Sequence, residues 1–215
     1  ANNTALLSVL KAKSRGGRII TTAIEHPSVL ETVKRLEDYG FEAVRLTPDK
    51  NGIVPLSALE SALTDNTLLV SMMLVNNETG AVQPIKEAVS LTKRLAPSAL
   101  FHCDAVQGYG KLSVNVKQLG VDLLSASGHK IHGPKGIGFL YCKKGVHINP
   151  LITGGGQERG MRSGTESIPL IMGLMGAAEE LPKPEIQLKA QQEIFNYTRD
   201  RLNGIGAVIN SPEDC

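Results

Sequence analysis

Apolar and polar positions change period repeatedly along this chain, and the changes predict strands and helices in turn. Residues 17–22, Gly-Arg-Ile-Ile-Thr-Thr, are a short β-branched run that predicts a strand. Pro27 then opens an amphipathic stretch that runs to Tyr39 and stops at Gly40, which predicts a helix over 27–39. Residues 41–46 predict the next strand and 56–63 a short helix. Residues 68–75 are apolar almost throughout, the mark of a strand covered on both faces. A helix over 84–95 follows, then strands over 99–103, 121–126 and 138–142. An apolar helix over 167–181 carries Gly173 and Gly176, which permit close packing, and 186–202 is a long polar-faced helix. Residues 206–209 predict a further strand, and the chain opens inside a helical pattern at Ala1-Asn2-Asn3.

Strand, helix, strand, helix predicts an α/β fold: a three-layer α/β/α sandwich around a mostly parallel sheet. Pro182-Lys183-Pro184 is a stiff break, which divides a large domain, residues 1–182, from residues 183–215, the start of a smaller one.

Composition narrows the function classes. Hydrophobic residues make up 41% and charged residues 20% of 215, as in an ordinary soluble globular protein. Aromatics are 4% with no Trp, which argues against base stacking. The formal charge is +2 with Lys and Arg scattered, so neither nucleic acid nor an anionic membrane is an expected partner. No apolar run approaches the roughly 20 residues of a spanning helix, and no signal-peptide pattern opens the chain. Cys103, Cys142 and Cys215 are odd in number and widely spaced, which speaks against a disulfide framework or a metal site. The expectation is a reduced, cytoplasmic protein with ordinary thiols.

Ligands of open α/β sheets bind beyond the carboxyl ends of the strands. Four groups fall there: Glu25-His26, Asn76-Asn77-Glu78, Asp104-Ala105-Val106-Gln107 and Ser127-Gly128-His129-Lys130. Lys130 is either a solvated loop lysine or an amine nucleophile fixed by the Gly/Pro turn behind it. Ser127 and His129 beside it can donate to a phosphate, and Gly128 permits close approach. Asp104 is either a cap or turn former, or a carboxylate paired with a cationic ring nitrogen, with Gln107 in reach of the same ligand. His26 is a capping or core histidine, or a ring stacked on a flat cofactor. Asn77 is a turn residue or a ligand-facing amide. The glycine-rich stretch 153–165 leads into a helix and suits a phosphate or simply a connection. It is neither a Walker motif nor a dinucleotide fingerprint.

These segments together resemble the cysteine desulfurases, within the class V aminotransferase group of fold-type I pyridoxal-phosphate enzymes. The matching blocks are Glu25-His26-Pro27, residues 75–80 (Val-Asn-Asn-Glu-Thr-Gly), 102–107 (His-Cys-Asp-Ala-Val-Gln), 125–136 (Ser-Ala-Ser-Gly-His-Lys-Ile-His-Gly-Pro-Lys-Gly) and 154–165 (Gly-Gly-Gly-Gln-Glu-Arg-Gly-Met-Arg-Ser-Gly-Thr). The resemblance implies pyridoxal 5'-phosphate held by Lys130 as a Schiff base, Asp104 on the pyridine nitrogen, Gln107 and Asn77 near the ring oxygen, and His26 stacked on the ring. It implies Ser127 and His129 on the phosphate, and Thr165 reaching the phosphate of a neighbouring subunit in a homodimer. The implied reaction converts L-cysteine to L-alanine, with sulfur passing to an enzyme cysteine as a persulfide and then to an acceptor protein. Lys130 and His26 would be the catalytic residues. None of the three cysteines matches the family's nucleophile, which is expected beyond residue 215, as is the substrate-carboxylate arginine. The segment is therefore expected to be truncated at both ends and inactive alone. A selenocysteine lyase, another class V aminotransferase and a non-catalytic scaffold are the competing readings.

Overall fold

Six strands form one sheet in the order β2-β1-β3-β4-β5-β6. They are β1 (Arg18–Thr22), β2 (Glu42–Leu46), β3 (Thr67–Met73), β4 (Leu100–Asp104), β5 (Leu123–Ser127) and β6 (Gly138–Cys142). The computed structural model describes residues 1–8 and 16–213. The first five strands are mutually parallel, and β6 pairs antiparallel with β5, Ser127 opposite Gly138. The helices are α1 (Asn2–Leu7), α2 (Pro27–Asp38), α3 (Leu56–Ala62), α4 (Ile85–Leu95), α5 (Val116–Leu119), α6 (Ile168–Glu179) and α7 (Pro184–Asn203). The sandwich expected from the alternation is therefore present, with β6 as its one reversed strand.

The side-chain alternation of each strand feeds two cores. On one face Ile20, Val70, Phe101 and Leu124 pack with Leu59 of α3 and with Ile85 and Ala88 of α4. On the other, Ile19, Leu69 and Leu123 pack with Ala5 and Leu6 of α1 and with Val29, Val33 and Leu36 of α2. Each large side chain so buried contributes about 1.5–3 kcal/mol. In β4, Phe101 and Cys103 belong to the first face, so His102 and Asp104 turn to the second, under α1.

Helix boundaries follow local chemistry. Pro27 occupies the first turn of α2, whose amino end is capped by His26, and Gly40 beyond its carboxyl end takes φ +87. Asn115 caps α5, accepting from Lys117 and Gln118 amides, and Gly120 closes it at φ +75.

One expectation is corrected. Residues 206–209 are not a strand: no ladder is formed and Val208 is 89% exposed. Residues 209–213 instead line a cleft with residues 23–25 and 76–79. Cys142 is half-buried, because β6 is an edge strand with one neighbour. Asn77 is exposed, and it is Asn76 that is buried and organises the turn. Cys215 lies outside the described residues.

Candidate active site

The strand order reverses between β1 and β3, and that switch point opens a crevice at the carboxyl edge of the sheet. Except for Thr165, the residues singled out in the sequence follow strands at that edge: His26 after β1, Asn77 after β3, Asp104 and Gln107 at and after the end of β4, and Ser127 to Lys130 at and after the end of β5.

Asp104 is buried at 5% exposure. Its Oδ2 accepts from the Asn2 side-chain amide at 2.6 Å and its Oδ1 from the Val106 backbone amide at 3.0 Å. The same Asn2 nitrogen donates to Ser28 Oγ at 2.9 Å, and Ser28 Oγ lies 2.9 Å from His26 Nδ1. Asp104 and His26, 78 residues apart in sequence, are thus joined through Asn2 and Ser28. The carboxylate fixes the Asn2 amide, since a flipped amide would set oxygen against oxygen. His26 Nδ1 also accepts from the Ser28 amide at 3.1 Å, which leaves the ring proton on Nε2. This histidine therefore caps α2 and is itself exposed.

Neither Asn2 nor Ser28 stood out in the sequence. The one signal was a polar pair, Asn2-Asn3, inside a short helix whose neighbours Ala5 and Leu6 are core residues.

Ser127 Oγ and His129 Nδ1 bind each other at 2.7 Å, one turn before Lys130. Lys130 sits in the 3-10 turn Gly128–Ile131, and His132 closes that turn in the left-handed region at φ 64. The turn is braced from below: a Cβ on Gly173 of α6 would come 2.5 Å from Pro134, so only glycine lets that loop pack there. Gln107 is half-buried, and its Oε1 accepts from Lys111 Nζ at 3.2 Å. Thr165 is exposed ahead of α6 and makes no hydrogen bond among the described residues.

Glu25, beside His26, holds a role its sequence position concealed. It is buried, and its Oε1 accepts from Thr22 Oγ1 at 2.9 Å and from the Met73 amide at 2.7 Å, tying the ends of β1 and β3 together. Burial, and secondarily the charge of Asp104, push its pKa up to about 8 despite those two bonds. His102, below Asp104, is fully buried between Ser71 Oγ and Ser125 Oγ, each at 2.9 Å. Burial lowers its pKa to about 3, so it is a neutral brace across β3, β4 and β5.

The residues fit a pyridine cofactor by a direct test. Among the described residues no side-chain cation pairs with the buried Asp104 carboxylate. A buried carboxylate of this kind suits a protonated ring nitrogen. No cluster of metal-ligating residues occurs among the described residues, and none of the described helices is long and apolar enough to cross a membrane.

Comparison with known proteins agrees. A NifS-like protein of solved structure superposes with a TM-score of 0.89 at 41% identity, covering 99% of this chain and 59% of that one. SspA, solved in complex with cysteine, superposes at 0.82 with 40% identity over 91% of this chain and 57% of that chain. A cysteine desulfurase of Nostoc sp. is 46% identical over 202 residues, 94% of this chain and 49% of the relative. The chain spans about half the length of the curated relatives it matches. Fold and crevice together define the large domain of a fold-type I pyridoxal-phosphate-dependent transferase. The match to the model for aminotransferase class-V runs over residues 1–214, and the chain belongs to that family.

Proposed function

We propose that this chain is the cofactor-binding core of a cysteine desulfurase, which converts L-cysteine to L-alanine and passes the sulfur to an enzyme thiol. The observation that carries the reading is the buried Asp104 carboxylate, which has no partner side-chain cation among the described residues and is wired through Asn2 and Ser28 to His26. The relatives named cysteine desulfurase and the structure bound to cysteine support the substrate.

Pyridoxal 5'-phosphate, when bound, supplies an electron sink that labilises bonds at the substrate's α-carbon. Asp104 would hold the ring nitrogen, and its burial keeps that charge pair out of water. His26, fixed by its cap, would lie against the ring. Gln107 and Asn77 would face the ring oxygen, and Ser127 and His129 the phosphate. Lys130 would anchor the cofactor and then carry the α-proton. Thr165 would serve the phosphate of a second subunit. A homodimer that shares its sites is part of the same reading.

In the overall change the carbon–sulfur bond of cysteine breaks, a sulfur–sulfur bond forms at the accepting thiol, and a proton replaces sulfur on carbon. The accepting cysteine must be an exposed thiolate. Cys103 is fully buried, with its pKa raised by burial and by Asp104 and Glu25, and Cys142 is half-buried and also raised. Neither suits the role. The same reading places residues 183–215 at the start of a second, smaller domain, the protein in the cytoplasm, and an acceptor protein downstream.

The test is a visible absorbance spectrum after incubation with pyridoxal 5'-phosphate, alongside Lys130→Ala. A band in the parent that is missing from the variant is expected. No band in the parent, either as this chain or in the full-length protein, would sink the reading. With the cofactor in place, L-cysteine added to this chain alone should release no alanine, and its release would overturn the view that the accepting thiol lies elsewhere.

A further inference from the structure

Between β4 and α5 the chain folds into a tight turn over residues 105–112. The amides of Gly108 and Tyr109 both bond to the Ala105 carbonyl, at 3.0 and 2.7 Å, and the Leu112 amide bonds to the Gly108 carbonyl at 2.9 Å. Gly110 takes φ +81, and a Cβ there would lie 2.9 Å from Ile131 and 2.9 Å from Leu181. The left-handed φ favours glycine, and a Cβ would also press on the side chains of Ile131 and Leu181. Ile131 is the residue after Lys130, so this turn rests directly on the segment that carries the candidate cofactor lysine.

Lys111 follows Gly110 and is half-buried. Its Nζ donates to the Gln107 carbonyl at 3.1 Å and to Gln107 Oε1 at 3.2 Å. No carboxylate among the described residues pairs with it. Lysines seldom give up solvent without an anionic partner. The titratable group brought to it is another lysine: the pKa of Lys111 is lowered first by burial and then by the charge of Lys130. A half-buried ammonium held by two neutral oxygens, beside a second amine, is poorly compensated by protein groups alone.

We infer that Lys111 is a positioning residue of the Lys130 site, locking the Gln107 carboxamide with its Oε1 on the ammonium and its NH2 free to donate, and adding a positive charge for an anionic ligand oxygen. The lock is simple. With Oε1 held by an ammonium, a flipped amide would set donor against donor, so Nε2 stays free to donate. The charge acts on the same oxygen that Nε2 would meet. This inference rests on the reading of Lys130 as the cofactor lysine.

The experiment uses the full-length protein loaded with pyridoxal 5'-phosphate, comparing the parent with Lys111→Arg, Lys111→Met and Lys111→Gln. The readout is the pH midpoint of the cofactor's visible band, with thermal melting as a control for folding. A positive charge beside a group that gains a proton opposes the gain. Both neutral variants should therefore move the midpoint upward by about 0.5–1 pH unit, while Lys111→Arg stays close to the parent. Two neutral variants are used so that one that fails to fold leaves the other to decide. A midpoint unchanged in a folded neutral variant overturns the inference and leaves the cofactor assignment standing. No band in the parent overturns both.

Discussion

Glu25 shows what a sequence position leaves unsaid about a single side chain. In Glu25-His26-Pro27 the sequence suggests a role for the histidine and none in particular for the glutamate beside it. The structure buries it between Thr22 and Met73, where burial raises its pKa from 4.5 to about 8. The sign follows directly. The unfolded chain releases the Glu25 proton above pH 4.5 and the folded chain only near 8, so stability falls as pH rises through that window. Glu25→Gln keeps the shape and cannot ionise. Chemical denaturation should find the variant equal to the parent near pH 4 and more stable above pH 8, by about 5 kcal/mol at most. A difference that does not grow with pH would refute a neutral Glu25. The candidate site was otherwise readable wherever a residue type is rare at a strand end, as with Asp104, His26 and Lys130. It was unreadable where the signal is a contact between distant segments, as with Asn2 and Ser28.

At the scale of elements, Asp122 does for the sheet what no strand sequence announces. It lies just before β5 at 3% exposure and accepts from Lys93 Nζ of α4 at 2.5 Å and from the Phe101 amide of β4 at 2.9 Å. Lys143, just after β6, adds its charge at 3.5 Å. One carboxylate therefore joins a helix and three strands. Asp122→Ala leaves the Phe101 amide and a partly buried ammonium without their acceptor, and a loss of about 3 kcal/mol is expected. A urea midpoint within error of the parent would show the junction to be dispensable. Strand positions were legible because β-branched runs and Gly/Pro stops sit at their ends. The reversed direction of β6 was not, because pairing direction is set by connection geometry and not by residue pattern. The run Gly206 to Ile209 misled for a related reason: a strand-like composition needs a partner edge, and none meets it among the described residues.

For the whole molecule, Glu25 and His102 make an opposing pair. His102 is shifted from 6.5 down to about 3, so protonation of the unfolded chain lowers stability as pH falls from 6.5. Between 4.5 and 6.5 the rising cost at Glu25 offsets the falling cost at His102, while each acts alone outside that interval. Melting temperature against pH should therefore show a shoulder or plateau there, with an alkaline decline that Glu25→Gln flattens. A curve still rising at pH 8 would contradict the pairing.

The antiparallel ladder between β5 and β6 also bears on the order in which the molecule assembles. Residues 128–137, with Lys130 among them, form a loop closed at its base by Ser127 against Gly138. A loop of that length closes in about 10–100 ns, whereas parallel strands wait on distant segments to meet. Lys130 thus gains its local conformation early, while Asp104 and His26 become neighbours only when α1 docks against β4 and α2. A refolding chain would form the turn around Lys130 before Asp104 and His26 are brought together, so the proposed cofactor capture should report completion of the sheet and not its beginning.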